Sequence, residues 1–395
     1  MEPNLRLLPI KNPEELSLKM SDIGVSPTGC RMMCDKGILY AMQADDLSVS
    51  AALILKQELL AIGGEAAVHE KVIVHGVEKS SVILLATIAQ YRLLAQKLQQ
   101  QQFGLPGLGQ EILHLLAACQ RSTHSIIGAR KSLICGGKTL VMGIVNITPD
   151  SFYDGGCYLE PTAAIEHILA MAEAGVDIID IGGASSRPGS SPLPAQVEIE
   201  RILPVIEAVA PLVTQPISVD TDQAQVAEAA LAAGADIIND ISGLQDDAML
   251  KLALHERAPV IIMHNSRGLE HGPDIMSEII AFFRRTIAKA KEAGIKDEQI
   301  IIDPGLGFGK NTEQNLIILR DLSQLRGLDY PILIGASNKR FVGDILQLPL
   351  ERRLSGSTAV ATVAACHGAD IVRVHDFVSM MQAAKMTDAI RRGKK

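Results

Sequence analysis

The run LVMGIVN at residues 140–146 opens a series of eight short segments rich in Ile and Val, and this series sets the fold class. The other seven follow at nearly regular spacing, at residues 177–183, 216–221, 236–242, 258–264, 300–306, 331–337 and 370–376. Aliphatic runs of this kind are typical of parallel strands that are buried on both faces. Amphipathic stretches between them predict helices, for example at residues 162–174, 223–233 and 311–325.

Eight such units in about 256 residues match the count and the length of a (β/α)8 barrel, for which roughly 250 residues is typical. The main alternative is a doubly wound open sheet. Because no GxGxxG motif follows the first strand, the regular repetition favours closure into a barrel. We therefore expect an α/β protein with a (β/α)8 TIM barrel at residues 137–395.

Residues 1–136 do not follow this pattern and predict a smaller α/β domain ahead of the barrel. Strand-like runs lie at residues 30–33, 38–43, 66–74 and 82–87, and helix-like runs at 47–62, 89–101 and 110–119. We expect this domain to occupy residues 1–119, and the polar stretch at 120–136 to be a linker. Cys30 and Cys34 lack a second pair of metal ligands and are expected to be ordinary thiols.

Composition and charge limit the class of function. The 395 residues are 47% hydrophobic but only 3% aromatic, so the core is expected to consist of Ala, Val, Ile and Leu. The net charge of −8, without a basic stripe, argues against nucleic acid or an anionic membrane as partner. The acidic start of the chain does not resemble a signal peptide, and the six cysteines form no paired framework. We therefore expect a soluble, cytoplasmic protein.

Polar residues collect at the carboxyl ends of the predicted strands, where a barrel of this class carries its active site. They are Asn146, Asp180, Asp220, Asn239, Asp303, Lys339, Arg373 and His375. Single positions have a simpler explanation, because Asp220 could cap a helix and His264 could be a satisfied imidazole of the core. The convergence of the whole set on one barrel mouth favours a binding site.

The set contains groups that suit different parts of one ligand. Asp220, Asn239 and Asp303 can bond a flat heterocycle with several N–H donors and a carbonyl, such as a pterin or a guanine-like edge. A cationic group suited to a diphosphate comprises Arg187, Lys339, Arg373 and His375. Asn146 and Asp154 offer hard oxygen ligands, too few for a closed cage but adequate for Mg²⁺ shared with diphosphate oxygens.

Seven motifs occur in the order in which they occur in dihydropteroate synthases, and the chain resembles that family. They are GIVNITPDSFYDGG (143–156), DIGGASSRPGS (180–190), SVDT (218–221), INDISG (238–243), DPGLGFGK (303–310), SNKR (337–340) and RVHD (373–376). The resemblance covers residues 138–392 and leaves the first 136 residues outside. It implies a sulfonamide-target transferase of folate biosynthesis that joins p-aminobenzoate to 6-hydroxymethyl-7,8-dihydropterin diphosphate and releases diphosphate.

The resemblance also implies roles for individual residues. It implies a pterin diphosphate site of Asp180, Ser186, Asp220, Asn239, Asp303, Lys339, Arg373 and His375. It implies catalytic roles for Asp154, Arg187, Lys339, Arg373 and His375, a p-aminobenzoate pocket of Phe152, Pro188, Phe308 and Arg340, and Asn146 as a ligand of Mg²⁺. The implied mechanism is an Mg²⁺-assisted, dissociative (SN1-like) substitution, and the implied assembly is a homodimer.

The chain departs from the family pattern at several positions. Ala184 stands where the family usually has Glu, Leu306 where an aromatic residue is usual, and Asn338 where Arg is usual. Residues 263–276 replace the usual MHMQGxP run. Two alternatives stay open. A non-catalytic or divergent pterin-binding paralogue would bind dihydropterin without releasing diphosphate. A methyltetrahydrofolate-dependent methyltransferase would share the Asp and Asn set without needing Lys339.

Overall fold

The computed structural model describes residues 4–10, 12–148, 161–184, 193–335 and 337–392. The chain divides into two compact units, Met1–Gln120 and Arg121–Lys395. Within the described ranges, none of the helices has the length and hydropathy that crossing a membrane requires.

The first unit contains a three-stranded antiparallel sheet packed against helices. Strand β1 (Leu39–Ser48) pairs with β3 (Lys79–Thr87), which pairs in turn with β2 (Glu65–Val68). The helices are α1 (Pro13–Asp22), α2 (Pro27–Gly37), α3 (Val49–Leu60), α4 (Ile88–Leu98) and α5 (Leu105–Gln120). The buried ring of Tyr91 lies in the core of this unit, and its hydroxyl donates to the carbonyl oxygen of Leu84 (2.8 Å). The unit therefore has a hydrophobic core of its own.

Two predictions for this unit differ from the structure. The strand predicted at residues 66–74 ends at Val68 and is followed by a 3-10 helix (Glu70–Val72). Residues 30–33 belong to helix α2 and not to a strand. The hydroxyl of Ser26 accepts a hydrogen bond from a backbone N–H of the first turn, and Pro27 occupies the first helical position. Both features favour a helix start. Cys30 and Cys34 lie one turn apart and are the buried residues of α2.

The second unit consists of a short hairpin and a closed barrel. Strands β4 (His124–Ile127) and β5 (Ser132–Cys135) form the hairpin. The barrel strands are β6 (Leu140–Asn146), β7 (Ile178–Gly182), β8 (Ile217–Asp220), β9 (Ile237–Asp240), β10 (Val260–Met263), β11 (Ile300–Asp303), β12 (Leu333–Gly335) and β13 (Ile371–Val374). Neighbouring strands are parallel, and a bridge between Ile302 and Ile332 closes the ring. The predicted barrel is confirmed, and its strands fall within the eight runs.

Helices cover the outside of the barrel. They are α6 (Pro161–Ala174), α7 (Ala195–Val209), α8 (Ala224–Ala233), α9 (Asp247–His255), α10 (Ile275–Ala293), α11 (Thr312–Arg320), α12 (Arg340–Leu346), α13 (Leu354–Cys366) and α14 (Phe377–Arg392). The larger core lies between helices and strands, where Phe283 of α10 belongs to the same cluster as Val219 and Ile262. This outer core holds the strands whose carboxyl ends carry the polar residues.

Side chains alternate along each strand, and this alternation divides the barrel interior into two layers. The layer near the amino ends of the strands is apolar and includes Ile178, Ile237, Ile301 and Ile371. Two positions further along the same strands, on the same face, lie Asp180, Asn239, Asp303 and Arg373. Each of these strands therefore contributes one residue to a dry lower layer and one to a polar upper layer.

The hairpin closes the amino end of the barrel. Ile126 and Cys135 pack with the lower layer and are 2% and 0% exposed. At the hairpin turn, Nζ of Lys131 donates to the carbonyl oxygen of Gln215 (2.7 Å). Residues 120–136, which the polar composition predicts to be a linker, therefore include the floor of the barrel. The difference arises because alternate residues of two very short strands supply the apolar contacts.

We expect Ile126→Ala to lower the free energy of unfolding by about 2 to 4 kcal/mol, because it removes a buried side chain from a closely packed layer. Ile127→Ala is the matched control, since Ile127 is the next residue of the same strand and is 50% exposed. Its effect is expected to stay within about 0.5 kcal/mol. Urea denaturation of both variants measures the difference, and equal losses would contradict a packed floor.

Candidate active site

An ion-pair network around Arg373 of β13 forms the centre of the polar layer. Nε of Arg373 donates to a carboxylate oxygen of Asp180 (2.6 Å), and the same guanidinium contacts Asp220. Asp180 is fully buried, and its other oxygen accepts a hydrogen bond from Nδ2 of Asn239 (3.3 Å). Side chains from β7, β8, β9 and β13 thus meet inside the barrel, which gives a rigid polar surface with fixed charges.

Burial opposes the charged form of the carboxyl groups in this layer. It raises the pKa of Asp220 to about 7, although the guanidinium of Arg373 acts in the opposite direction. It also raises the pKa of Asp303, even though that carboxylate accepts a hydrogen bond from the N–H of Gly305 (2.7 Å). Burial also acts to lower the pKa of Arg373, but the neighbouring carboxylates outweigh this effect and hold the pKa above its usual value. The network therefore keeps a permanent cation next to two carboxyl groups, Asp220 and Asp303, whose pKa values burial raises.

Lys339, which follows β12, adds a second cation to the interior. Burial lowers the pKa of this lysine to about 8, against the opposing effect of the Asp303 carboxylate. Its Nζ lies 4.8 Å from the centre of the Phe308 ring. Lys339 therefore lies close to both the acidic groups of the interior and the only described aromatic side chain predicted for the p-aminobenzoate pocket.

His375 and Asn146 lie at the carboxyl ends of the adjacent strands β13 and β6. Nε2 of His375 is 3.4 Å from Nδ2 of Asn146. On the opposite side of the ring, Nδ1 is 3.0 Å from the hydroxyl of Ser337, which also accepts the backbone N–H of His375 (3.3 Å). Ser337 is the first residue of the SNKR motif, although the resemblance implies no role for it, and its hydroxyl fixes the orientation of the imidazole.

The glycine-rich loop after β11 lies against the loop after β10. Gly305 and Gly309 have φ angles of 69° and 77°, and a Cβ atom on them would lie 2.2 and 2.3 Å from backbone oxygens of His264 and Ser266. Burial lowers the pKa of Lys310 to about 7, and its Nζ donates to three carbonyl oxygens. These belong to His264, Gly305 and Phe308, at 2.9, 3.0 and 3.1 Å. The glycines of the run GLGFG thus allow the two loops to approach closely, and this packing holds Phe308 in place.

Two of the simpler explanations can be compared with the structure. The ring of His264 packs edge-on against Phe282 (4.9 Å between centroids), and burial lowers its pKa to about 3. Its Nδ1 has no hydrogen-bond partner within the described residues, so it is a core imidazole but not a satisfied one. Asp220 points into the Arg373 network, while the hydroxyl of Thr221 accepts the N–H of Gln223 near the start of α8. Asp220 therefore does not cap α8, and its carboxylate can take part in the site.

The structure brings most of the predicted site residues to the barrel mouth. These are Asn146, Asp180, Asp220, Asn239, Asp303, Phe308, Lys339, Arg373 and His375. The side chain of Arg340 is instead 91% exposed and lies 3.8 Å from Asp344 of the same helix, so its contact with p-aminobenzoate stays a prediction. Phe152, Asp154, Ser186, Arg187 and Pro188 lie outside the described residues.

Arg267 is a residue of this region that the motifs did not reveal. Its guanidinium carbon lies 4.4 Å from the centre of the Phe308 ring. It belongs to residues 263–276, the stretch that departs from the family pattern. The sequence could have indicated Arg267 by its position shortly after a barrel strand. The other site residues were predicted from the same kind of position.

Comparison with known proteins places the barrel among pterin-binding enzymes. Residues 142–375 match the family described as "Pterin binding enzyme". The dihydropteroate synthase of Clostridium beijerinckii is 44% identical over 268 residues, which cover 67% of this chain and 99% of the relative. The crystal structure of dihydropteroate synthase from Clostridium difficile, determined in the presence of pteroic acid, is 45% identical with a TM-score of 0.63. The match covers 65% of this chain and 98% of the chain in that structure.

A haloarchaeal relative matches more of the chain than the barrel. The probable bifunctional folylpolyglutamate synthase/dihydropteroate synthase of Halobacterium salinarum is 38% identical over 377 residues. The match covers 93% of this chain and 45% of the relative. Because Arg121–Lys395 makes up only about 70% of the chain, the match must include residues of the first unit. The first unit is therefore shared with at least this relative.

Proposed function

Because the chain belongs to the dihydropteroate synthase family, we propose that it joins p-aminobenzoate to 6-hydroxymethyl-7,8-dihydropterin diphosphate and releases diphosphate. The observation that carries this proposal is the Arg373 network, in which hydrogen-bond acceptors and fixed cations share one barrel interior. The Clostridium difficile structure adds support, because pteroic acid contains the pterin and the p-aminobenzoate parts already joined.

We place the pterin ring in the upper layer of the barrel. The carboxylates of Asp220 and Asp303 can accept hydrogen bonds from N–H groups of the pterin, and the amide of Asn239 can both donate and accept. Asp180, fully buried, holds Asn239 and Arg373 in position. The apolar lower layer below them gives a flat ring a dry base. Such a mainly apolar pocket with a few fixed polar groups is typical of small-molecule sites.

The cations beside this pocket hold the diphosphate and stabilise its departure. In the reaction the bond between the methylene carbon and the diphosphate oxygen breaks, and the oxygen takes the electron pair. Arg373 and His375 bind the charge that leaves, while Asp220 and Asp303 stabilise the positive charge that remains on the dihydropterin. Preorganised groups of this kind contribute about 3 to 4 kcal/mol each to transition-state stabilisation. The amine nitrogen of p-aminobenzoate then forms the new C–N bond and loses its proton.

A Mg²⁺ ion fits the diphosphate end of this site as a shared ion. The side-chain amide of Asn146 lies beside His375 and carries an oxygen that can bind a metal ion. Within the described residues there is no group of three His, Cys, Asp or Glu side chains that would enclose a metal ion. Mg²⁺ is usually held by one or two protein groups together with phosphate oxygens and water. When bound, the ion would supply charge neutralisation for the leaving diphosphate.

We expect Asn146→Ala to raise the Mg²⁺ concentration for half-maximal turnover roughly tenfold, because one protein ligand is lost while the phosphate ligands remain. Asn146→Asp keeps an oxygen ligand and is expected to stay near the wild-type value or below it. Diphosphate release measured across a Mg²⁺ titration gives both numbers. An unchanged Mg²⁺ dependence in Asn146→Ala would contradict this role.

The proposed function is tested with the purified chain, both substrates and Mg²⁺, by following dihydropteroate and released diphosphate. Formation of both products in equal amounts supports the proposal. Tight binding of dihydropterin without diphosphate release would favour the non-catalytic paralogue. Methyl transfer from methyltetrahydrofolate without dihydropteroate formation would favour the methyltransferase.

We also propose that the chain acts in the cytoplasm as a homodimer. The exposed faces of α13 and α14 carry Val363, Val378, Met386 and Ile390, which are 42%, 54%, 61% and 72% exposed. Exposed apolar side chains gathered on neighbouring helices suit a protein interface. Sedimentation equilibrium should give twice the chain mass of 42.3 kDa. A monomer at micromolar concentration would contradict the dimer.

A further inference from the structure

We infer that Arg267 recognises the carboxylate of p-aminobenzoate, and that this chain therefore selects its second substrate by charge. The inference rests on the proposed function and extends it to a residue that the family motifs do not contain. It starts from the arrangement of two cations around one aromatic ring at the barrel mouth.

Phe308 provides that ring. The guanidinium of Arg267 lies 4.4 Å from its centre, and Nζ of Lys339 lies 4.8 Å from it. Both distances are within the range in which a cation is attracted to the face of an aromatic ring. Two positive groups beside one apolar surface suit a ligand that combines an aromatic ring with a negative charge, and p-aminobenzoate has both.

Backbone contacts fix Arg267 and Phe308 relative to each other. The carbonyl oxygen of Phe308 accepts hydrogen bonds from the hydroxyl of Ser266 (3.0 Å) and from Nζ of Lys310 (3.1 Å). The backbone N–H of Arg267 donates to Oδ1 of Asn265 (3.2 Å), which closes a local turn. The Ser266 bond therefore links the two loops next to the cation–ring contact. The backbone of Arg267 is thus held beside Phe308.

Depth within the barrel distinguishes the two cations. Lys339 interacts electrostatically with Asp220 and Asp303 in the polar layer. Arg267, in contrast, is an exposed residue of the loop that follows β10, at the rim of the mouth. p-Aminobenzoate is rigid, with its amine and its carboxylate at opposite ends of the ring. Because the amine must reach the pterin methylene in the interior, the carboxylate points outward to the rim where Arg267 lies.

The chemistry of arginine allows both contacts at once. A guanidinium can stack on a ring with its flat face while its edge donates to a carboxylate through two parallel hydrogen bonds. It has five N–H donors, so contacts to other residues leave donors for a ligand. Partial burial of the side chain lowers the pKa of Arg267, but an arginine side chain stays protonated at neutral pH. The side chain can therefore bind a carboxylate throughout the working pH range.

The test compares three variants in the dihydropteroate assay. Arg267→Met keeps a long apolar stem without donors, and we expect it to raise the KM for p-aminobenzoate roughly ten- to thirtyfold. The KM for the pterin diphosphate and the kcat at saturation should stay within about twofold. Arg267→Lys keeps the charge without the paired donors and should give an intermediate KM.

The third variant, Arg320→Met, is the matched control. Its side chain is 70% exposed at the last residue of α11, and this helix runs from the barrel mouth back to the opposite end. It should match the wild type in both KM values.

A neutral analogue separates charge recognition from general damage to the pocket. p-Aminobenzamide has the same ring and amine but no negative charge, so Arg267→Met should leave its inhibition constant unchanged. Equal weakening of p-aminobenzoate and p-aminobenzamide, or a wild-type KM in Arg267→Met, would overturn the inference. A wild-type chain that forms no dihydropteroate would instead overturn the proposed function, so the two failures are distinguishable.

Discussion

Arg373→Ala is expected to lower kcat/KM for the pterin diphosphate by about 10² to 10³ and the free energy of unfolding by about 3 to 5 kcal/mol. The activity falls because the variant loses a fixed cation that stabilises the leaving diphosphate. The stability falls because Asp180 and Asp220 lose the guanidinium that contacts both of them. Since Asp180 is fully buried, its charge would have no other cation to compensate it within hydrogen-bond distance among the described residues.

The stability part of this prediction is tested with a double-mutant cycle. Asp180→Asn removes one of the charges that Arg373→Ala leaves unpaired, so the double variant should lose clearly less stability than the two single losses added together. Arg373→Lys keeps a cation that cannot form both contacts in the same geometry and should lie between wild type and Arg373→Ala. Urea denaturation and the steady-state assay give the two readouts. Strictly additive stability losses would contradict an energetic coupling between Arg373 and Asp180.

The second large effect concerns pH. We expect kcat/KM for the pterin diphosphate to follow a bell-shaped profile with limbs near pH 7 and pH 8. Burial raises the pKa of Asp220 to about 7, so below this pH the carboxylate is protonated and stops stabilising positive charge on the pterin. Burial lowers the pKa of Lys339 to about 8, so above this pH the amine is neutral and its charge is lost. Activity should therefore fall on both sides of a narrow maximum.

Two variants show which residue causes each limb of the pH profile. Asp220→Asn has no carboxyl group at this position, so its lower activity should lose the acidic limb. Lys339→Arg stays protonated, so its basic limb should move to higher pH. The substrates titrate identically in all three proteins, and comparing profiles removes their contribution. An acidic limb that persists unchanged in Asp220→Asn would assign it to another group.

The barrel could be predicted because its strands are buried on both faces and repeat regularly. In β7 the alternation of Ile178 and Asp180 also indicates which side chains point inward, and the same pattern recurs with Ile301 and Asp303 in β11. Most of the residues that we propose bind the pterin and the diphosphate are therefore predictable from strand ends alone. The motifs add the roles that the resemblance implies, and the Arg373 network brings several of these side chains together.

Other features depend on contacts that no local pattern contains. The contact between Arg267 and Phe308 requires two loops that approach closely, and this approach depends on Gly305 and Gly309. Helix α2 had a start signal in Ser26 and Pro27, but Gly29 in its first turn weakens the helical pattern of the sequence. The hairpin strands are only four residues long, too short for alternation to be distinguished from a polar connection.

The hairpin at the barrel floor also determines where the chain can be divided. A protein cut just before β6 would begin at residue 137 and would lose Ile126, Leu133 and Cys135, leaving the lower apolar layer open to water. A protein cut after Gln120 would keep them. In a gene fusion or a truncated expression clone, the catalytic module should therefore start at Arg121. It then keeps the hairpin that covers the lower layer of the barrel.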